Sequence, residues 1–363
     1  MRAIERVISS INHIEPDRVP WDFWATPELE LCLISHLGLS SSEELLRYLD
    51  VDLRYYRGPS FTGTMLTSYD DGVAEDLWGV LRKKMVVEGG SYSWTYSHVV
   101  CSPLYSAETV RDIDYYQHWP SADWWDYGNV EEDCGQFDGF AVVYAGDRLD
   151  RTAQLKPAMY LRGMEQIYLD LYENPEIADA IISHIKDYFL TYNERLFQAA
   201  NGKIDIFMMG DDFGTQNGPM MSVDTWRRFF KEGFRQYIDL AHRYGMKVMH
   251  HTCGAVRDLI PEFIDCGLDI LQSVQPRAAG MDLGELKKEF GKYLSFHGSV
   301  DIQETLPHGS IEDIRAEVRE RMEAGKPGGG FIISTAHNIQ PDTPVESVLA
   351  LYEAYQEFGG KRL

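Results

Sequence analysis

Short apolar runs alternate with amphipathic stretches over much of this chain, and that rhythm constrains its fold more than any other feature. The runs are Gly139 to Tyr144, Ile204 to Met209, Lys247 to His251, Ile270 to Val274, Leu294 to His297 and Gly330 to Ser334. Between them lie Asp224 to Tyr244, Val256 to Cys266, Leu283 to Phe290 and Ile311 to Ala324. There apolar residues recur three and four apart, as one buried helix face requires. Strand, helix, strand, helix predicts a parallel α/β architecture. Strand spacings of about 20 to 45 residues leave room for roughly eight units, so a (β/α)8 TIM-type barrel is expected rather than a doubly wound sheet. No GxGxxG follows a strand, which removes the best argument for a dinucleotide fold. No low-complexity linker divides residues 1–363, so the expectation is one barrel domain. Tyr55 to Tyr127, with its tryptophans and its Gly89-Gly90 turn, reads as a hairpin-bearing insertion in the N-terminal half.

Composition narrows the functional classes. The formal charge is −23, which argues against nucleic acid or an anionic membrane surface as a partner. No apolar run approaches the roughly 18 residues of a membrane span. The opening Met1-Arg2-Ala3-Ile4-Glu5-Arg6 lacks an apolar signal core. Five cysteines without CxxC spacing fit a reducing, cytoplasmic setting.

The strand ends collect the chemistry. Read to their C-terminal ends, the runs deliver Asp211-Asp212, then His251 and Cys253, then Gln275, then His297 and Asp301, then His337. Parallel barrel strands converge there on one face. His251 and Cys253, a borderline and a soft ligand flanking one residue, suit zinc if another ligand arrives from elsewhere in the fold. Plainer roles stand beside this reading: core packing for the His–Cys pair, turn capping for Asp211 or Asp212, a hydrogen-bonded rim for His297, loop positioning for Gln275. Gly328 to Gly330 precedes a strand instead of following one, so it reads as a flexible turn and not a phosphate cradle.

In combination these motifs resemble a known family. Gly210-Asp-Asp-Phe-Gly-Thr-Gln-Asn-Gly-Pro, His251-Thr-Cys-Gly, Gln275-Pro-Arg-Ala-Ala-Gly-Met, Phe296-His-Gly-Ser-Val-Asp and Ala336-His-Asn-Ile-Gln-Pro-Asp-Thr-Pro look like the uroporphyrinogen decarboxylase superfamily. Glu15-Pro-Asp-Arg-Val-Pro and Asp76-Leu-Trp-Gly match its N-terminal half. The resemblance implies a distorted (β/α)8 barrel, often a homodimer, with its site at the C-terminal strand ends. True decarboxylases of the family carry an arginine-rich segment after the Asp-Arg-Val-Pro position, suited to the many carboxylates of a porphyrinogen. Here residues 21–30 read WDFWATPELE, with no arginine and three acids. The chain is more similar to the zinc-dependent corrinoid methyltransferase branch, whose signature is His-x-Cys plus a third ligand after the last strand. His251 and Cys253 match the first part. His337 occupies the place where relatives usually have a second cysteine.

That resemblance implies Zn²⁺ on His251, Cys253 and His337, and a cobalamin carried by a partner corrinoid protein. The nitrogen–sulfur–nitrogen set favours Lewis-acid activation of a small O- or N-methyl substrate. Asp211 or Asp212 would move the proton, with His297 as a further catalytic group. Trp21, Trp24 and Gln275 would bind the substrate, the tryptophans as an apolar wall able to hold a methylated cation. Two other classes remain open: a metal-free decarboxylase of a carboxylated substrate, and a non-catalytic corrinoid-partner or storage protein.

Overall fold

β-Branched and other apolar residues dominate the six runs, and these, together with Leu53–Tyr56, form one seven-stranded sheet in the computed structural model, which describes residues 1–64, 66–89, 92–146 and 151–360. In chain order the strands are β1 (Leu53–Tyr56), β2 (Ala141–Tyr144), β3 (Ile206–Gly210), β4 (Lys247–His251), β5 (Ile270–Val274), β6 (Ser295–Val300) and β7 (Phe331–Thr335). Each pairs in parallel with the next. Sequential parallel order with helices between the strands makes this a curled α/β sheet of barrel type. Beyond β7 the extended segment at Trp21 takes the neighbouring place. Asp22 N–H donates to Ile333 O at 3.1 Å, Ile333 N–H to Pro20 O at 3.0 Å, and Asp52 N–H to Trp21 O at 3.1 Å.

The Glu-Pro-Asp-Arg-Val-Pro opening anchors that segment. Buried Asp52 accepts from Arg6 Nη1 and Arg18 Nη1, each at 2.6 Å, and from Trp21 N–H at 3.0 Å. Period-two alternation then sorts side chains to two cores. Leu53, Ala141, Val143, Ile206, Met208, Met249, Ile270 and Ile332 fill the interior, with Val7 and Ile11 of the helix Ala3–Ile11 packed among them. Val142, Phe207, Val248, Leu271, Phe296 and Ile333 face the helical layer.

Most predicted strands lie within a residue or two of their expected bounds. β6 does not: it runs on to Val300, because Gly298 at φ 114° and Ser299 at φ 84° carry the chain through an irregularity instead of ending it. The stretch Asp224 to Tyr244 forms two helices, Val223–Phe229 and Lys231–Arg243, broken at Phe230. Between β1 and β2 the chain makes a three-stranded antiparallel sheet from Val73–Glu75, Leu81–Gly89 and Tyr92–Cys101. The predicted Gly89-Gly90 turn lies partly outside the described residues. Among the described residues no helix is long and apolar enough to cross a membrane.

Candidate metal centre

Alternation decides which of two adjacent histidines can reach the interior. His250 points to the helices, where Phe234 and Phe263 enclose it at ring distances of 4.8 and 5.2 Å. Burial pushes its imidazole down to about 3, so it is a neutral core residue. His251 points the other way. Its Nδ1 is hydrogen-bonded to Gln272 Oε1, and its Nε2 lies 3.6 Å from Cys253 Sγ. An amide oxygen only accepts, so Nδ1 carries the proton and Nε2 presents a lone pair. His337, from the turn after β7, brings its ring to 5.7 Å from that of His251. The ligand atoms of His251, Cys253 and His337 all lie within 4.8 Å of one another. A tetrahedral zinc with bonds of about 2.0–2.3 Å separates its ligands by about 3.3–3.8 Å, so small side-chain shifts suffice.

The loop that bears Cys253 is tied down at successive amides. Asp212 Oδ1 accepts from Cys253 N–H at 3.0 Å, and Gln275 Oε1 from Gly254 N–H at 2.9 Å. Gly254 is at φ 84°, and a Cβ there would come within 2.5 Å of Gly214 backbone. Glycine is therefore required where the thiol is aimed. Burial, reinforced by Asp212, pushes the Cys253 thiol up to about 12. A bound divalent cation reverses that preference, because only the thiolate is a ligand. Buried Ser273, beside the thiol, acts in the same direction as the cation, favouring the thiolate.

Asp212 closes one side. Burial would raise its carboxyl, but the Lys156 ammonium, whose Nζ is 2.9 Å from Oδ2, and the hydrogen bond from Cys253 N–H hold it below the usual carboxylate range. Burial holds His251 well below the usual imidazole range, with Arg151 adding to the effect, so the ring is neutral and Lys156 is the cation that pairs with Asp212. Trp24 forms a wall: its ring lies 5.3 Å from those of both His251 and His337, with the Arg151 guanidinium 5.7 Å over it.

Four expected site residues take other places. Asp211 is fully enclosed, and its carboxylate accepts three backbone N–H groups, from Gln154 (2.6 Å), Leu155 (3.0 Å) and Lys156 (2.7 Å). It caps the helix Leu155–Arg162 instead of facing a substrate. Trp21 is 1% exposed, donates Nε1–H to Leu49 O, and belongs to the core on the helical side, one residue out of phase with Trp24. Gln275 spends its carbonyl on Gly254. His297 is 0% exposed in the interior of β6, with Nε2 2.9 Å from Asp22 Oδ2, so it acts on its neighbours and not on an incoming molecule.

Sequence reasoning missed Gln272, Lys156 and Asp22. Gln272 was findable, being a polar residue at the inward phase of an apolar strand. So was Asp22, at the same phase as Trp24. Lys156, on a helix, carried no such signal.

Comparison with known proteins places this geometry. Over 154 residues the chain is 29% identical to a methylcobamide:CoM methyltransferase MtaA of Methanosarcina barkeri, covering 42% of either chain. Over 230 residues it is 25% identical to a methylated-thiol–coenzyme M methyltransferase of Methanosarcina mazei, covering 63% of this chain and 57% of the relative. The chain thus matches about half the length of these curated relatives. A solved methyltransferase from Methanosarcina mazei shares the fold with a TM-score of 0.66 over 99% of both chains, at 17% identity. The uroporphyrinogen decarboxylase (URO-D) family profile matches residues 152–358, a span that includes His251, Cys253 and His337 and more than half of the chain. On that match, this chain belongs to the uroporphyrinogen decarboxylase family.

Proposed function

We propose that this chain is a zinc-dependent methyltransferase that moves a methyl group between a small O- or N-methyl substrate and the cobalt of a corrinoid held by a separate protein. The observation that carries the reading is the convergence of His251, Cys253 and His337, with the His251 tautomer set for coordination by Gln272. The names of the two methyltransferase relatives support the reaction class. We read the segment at Trp21 as the eighth member of a (β/α)8 ring, whose mouth the corrinoid protein would face. A cytoplasmic homodimer fits the composition and the family.

His251 Nε2, Cys253 Sγ and His337 would hold the zinc, leaving a fourth position for the substrate heteroatom. When bound, the ion supplies Lewis acidity that stabilises negative charge on that heteroatom as the methyl group leaves. The residues around it do the rest. Trp24 shields one side from water and presents an aromatic face to a methyl-bearing group. Asp212 fixes the Cys253 amide through Oδ1 and, with Lys156 Nζ on Oδ2, keeps an acid–base pair beside the cluster, Oδ1 lying 3.6 Å from His251 Nε2. A decarboxylase of polycarboxylated tetrapyrroles fits less well, because residues 21–30 contain no arginine.

Metal analysis tests the proposal. Protein purified without chelators is expected to hold about one zinc per chain, and Cys253→Ser to lose most of it. Wild-type protein that takes up no zinc when titrated with it would refute the reading.

A further inference from the structure

The barrel interior below the cluster holds a row of polar groups that the proposed chemistry does not use. Tyr55 O–H donates to Asp22 Oδ2 at 2.5 Å, and His297 Nε2 lies 2.9 Å from the same oxygen. A carboxylate only accepts, so the His297 proton is on Nε2 and its Nδ1 is bare. Phe23 N–H occupies the other carboxylate oxygen at 2.8 Å. On the next strand Gln272 gives Oε1 to His251 and keeps Nε2, a donor, facing the interior of the fold.

Gln272 Nε2 and His297 Nδ1 are both buried and both without a hydrogen-bond partner. One is a spare donor and the other a spare acceptor. They belong to residues directly paired between β5 and β6, as Gln272 and His251 are between β5 and β4. Neighbouring strands are about 4.8 Å apart, so paired side chains on one face are within reach. Buried polar groups are nearly always satisfied, and these two are complementary.

We propose that Asp22, His297 and Gln272 form one directed hydrogen-bond chain that positions the His251 imidazole. Its order is His251 Nδ1–H to Gln272 Oε1, then, by a small side-chain rotation that brings the two unpartnered atoms together, Gln272 Nε2–H to His297 Nδ1, and His297 Nε2–H to Asp22. Every donor points toward the carboxylate, so its negative charge is felt at His251 three residues away. The reversed Gln272 amide is excluded within this chain. It would set its carbonyl against bare His297 Nδ1 and drive the His251 proton to Nε2, the atom facing Cys253. Asp22 and His297 are positioning residues on this account, an extension across two strands of the carboxylate support that metal-bound histidines commonly have. The purpose assigned to the chain rests on the reading of His251 as a zinc ligand; its existence does not.

The test uses the metal-free full chain with ¹⁵N-labelled histidine, read by long-range ¹H–¹⁵N correlation at fixed pH. Wild type is expected to show His251 protonated on Nδ1 and His297 on Nε2. His297→Leu breaks the chain and should mix the His251 tautomers. His297→Gln keeps a donor at one end and an acceptor at the other, and should restore the wild-type pattern. Asp22→Asn should shift the His251 resonances in the direction His297→Leu does, by less. Titration with Zn²⁺ against a competing chelator should then show a loss of about 10- to 100-fold for His297→Leu and near-recovery for His297→Gln. Near-ultraviolet circular dichroism confirms that each variant is folded. An unchanged His251 tautomer in both His297→Leu and Asp22→Asn overturns the chain, as does a folded His297→Gln no better than His297→Leu. If wild type binds no Zn²⁺ yet shows the tautomer coupling, the zinc proposal fails and the chain stands.

Discussion

Replacing Asp211 with alanine separates a structural acid from a catalytic one. The wild-type carboxylate accepts three backbone N–H groups at the start of the helix Leu155–Arg162. Leaving the three buried N–H groups without an acceptor costs roughly 1–3 kcal/mol each, about 3–9 kcal/mol for three. Against this stands the burial of the acid itself, which pushes its carboxyl up to about 6 from an ordinary value near 3.8. Two pH units correspond to about 3 kcal/mol, which the alanine variant recovers. The expected net loss is about 3–9 kcal/mol near pH 4 and up to about 6 kcal/mol at neutral pH, measured by urea unfolding followed by circular dichroism. The pH dependence has a definite sign. A carboxyl whose folded pKa is raised contributes most below its unfolded pKa, and that contribution is lost as pH rises through the folded value. The gap between wild type and variant should therefore shrink by up to about 3 kcal/mol between roughly pH 4 and pH 7. Zinc uptake of the folded variant should match wild type. A variant as stable as wild type near pH 4, or a gap that widens with pH, would refute the capping account.

Three further outcomes follow from the same geometry. Gly254→Ala forces a left-handed residue to carry a Cβ within 2.5 Å of Gly214 backbone, so it should destabilise by about 2–5 kcal/mol and weaken zinc binding, both visible in thermal melts with and without Zn²⁺. Asp205, raised to about 6 by burial while accepting Val142 N–H at 2.8 Å, destabilises the fold once ionised; Asp205→Asn keeps the acceptor. After allowance for partial exposure it should gain up to about 2 kcal/mol near pH 7 and nothing near pH 4, and a gain that is equal at both would count against the burial account. Trp21→Ala should lose about 3–5 kcal/mol of stability in denaturant titrations while leaving zinc stoichiometry unchanged; loss of metal from a folded variant would return Trp21 to the site.

Much of the fold was legible because it depends on local patterning. β-Branched and apolar runs of strand length make parallel strands, and the phase at which each run ends puts His251, Cys253 and His337 on one rim. The same phase rule separates His251 from His250 and Trp24 from Trp21, since neighbours on a strand face opposite sides. The end of the last strand but one escaped because glycine ordinarily ends a run, whereas Gly298 and Ser299 adopt positive φ and let β6 continue. His297 was for that reason expected at the rim and lies in the interior instead.

The sequence alone determined the α/β barrel-type alternation, the family resemblance and the three residues able to bind a soft divalent ion. The tertiary structure alone decided the duties of the other polar groups. Asp211 and Asp212 are adjacent acids that no pattern distinguishes, yet one faces three helix amides and the other faces Lys156 and the Cys253 amide. Gln272 sets the His251 tautomer only because β4 and β5 align them in register. Residue type fixes what a side chain can donate or accept; which partner it meets depends on strand register and on atoms hundreds of residues away, as with Asp22 and His297.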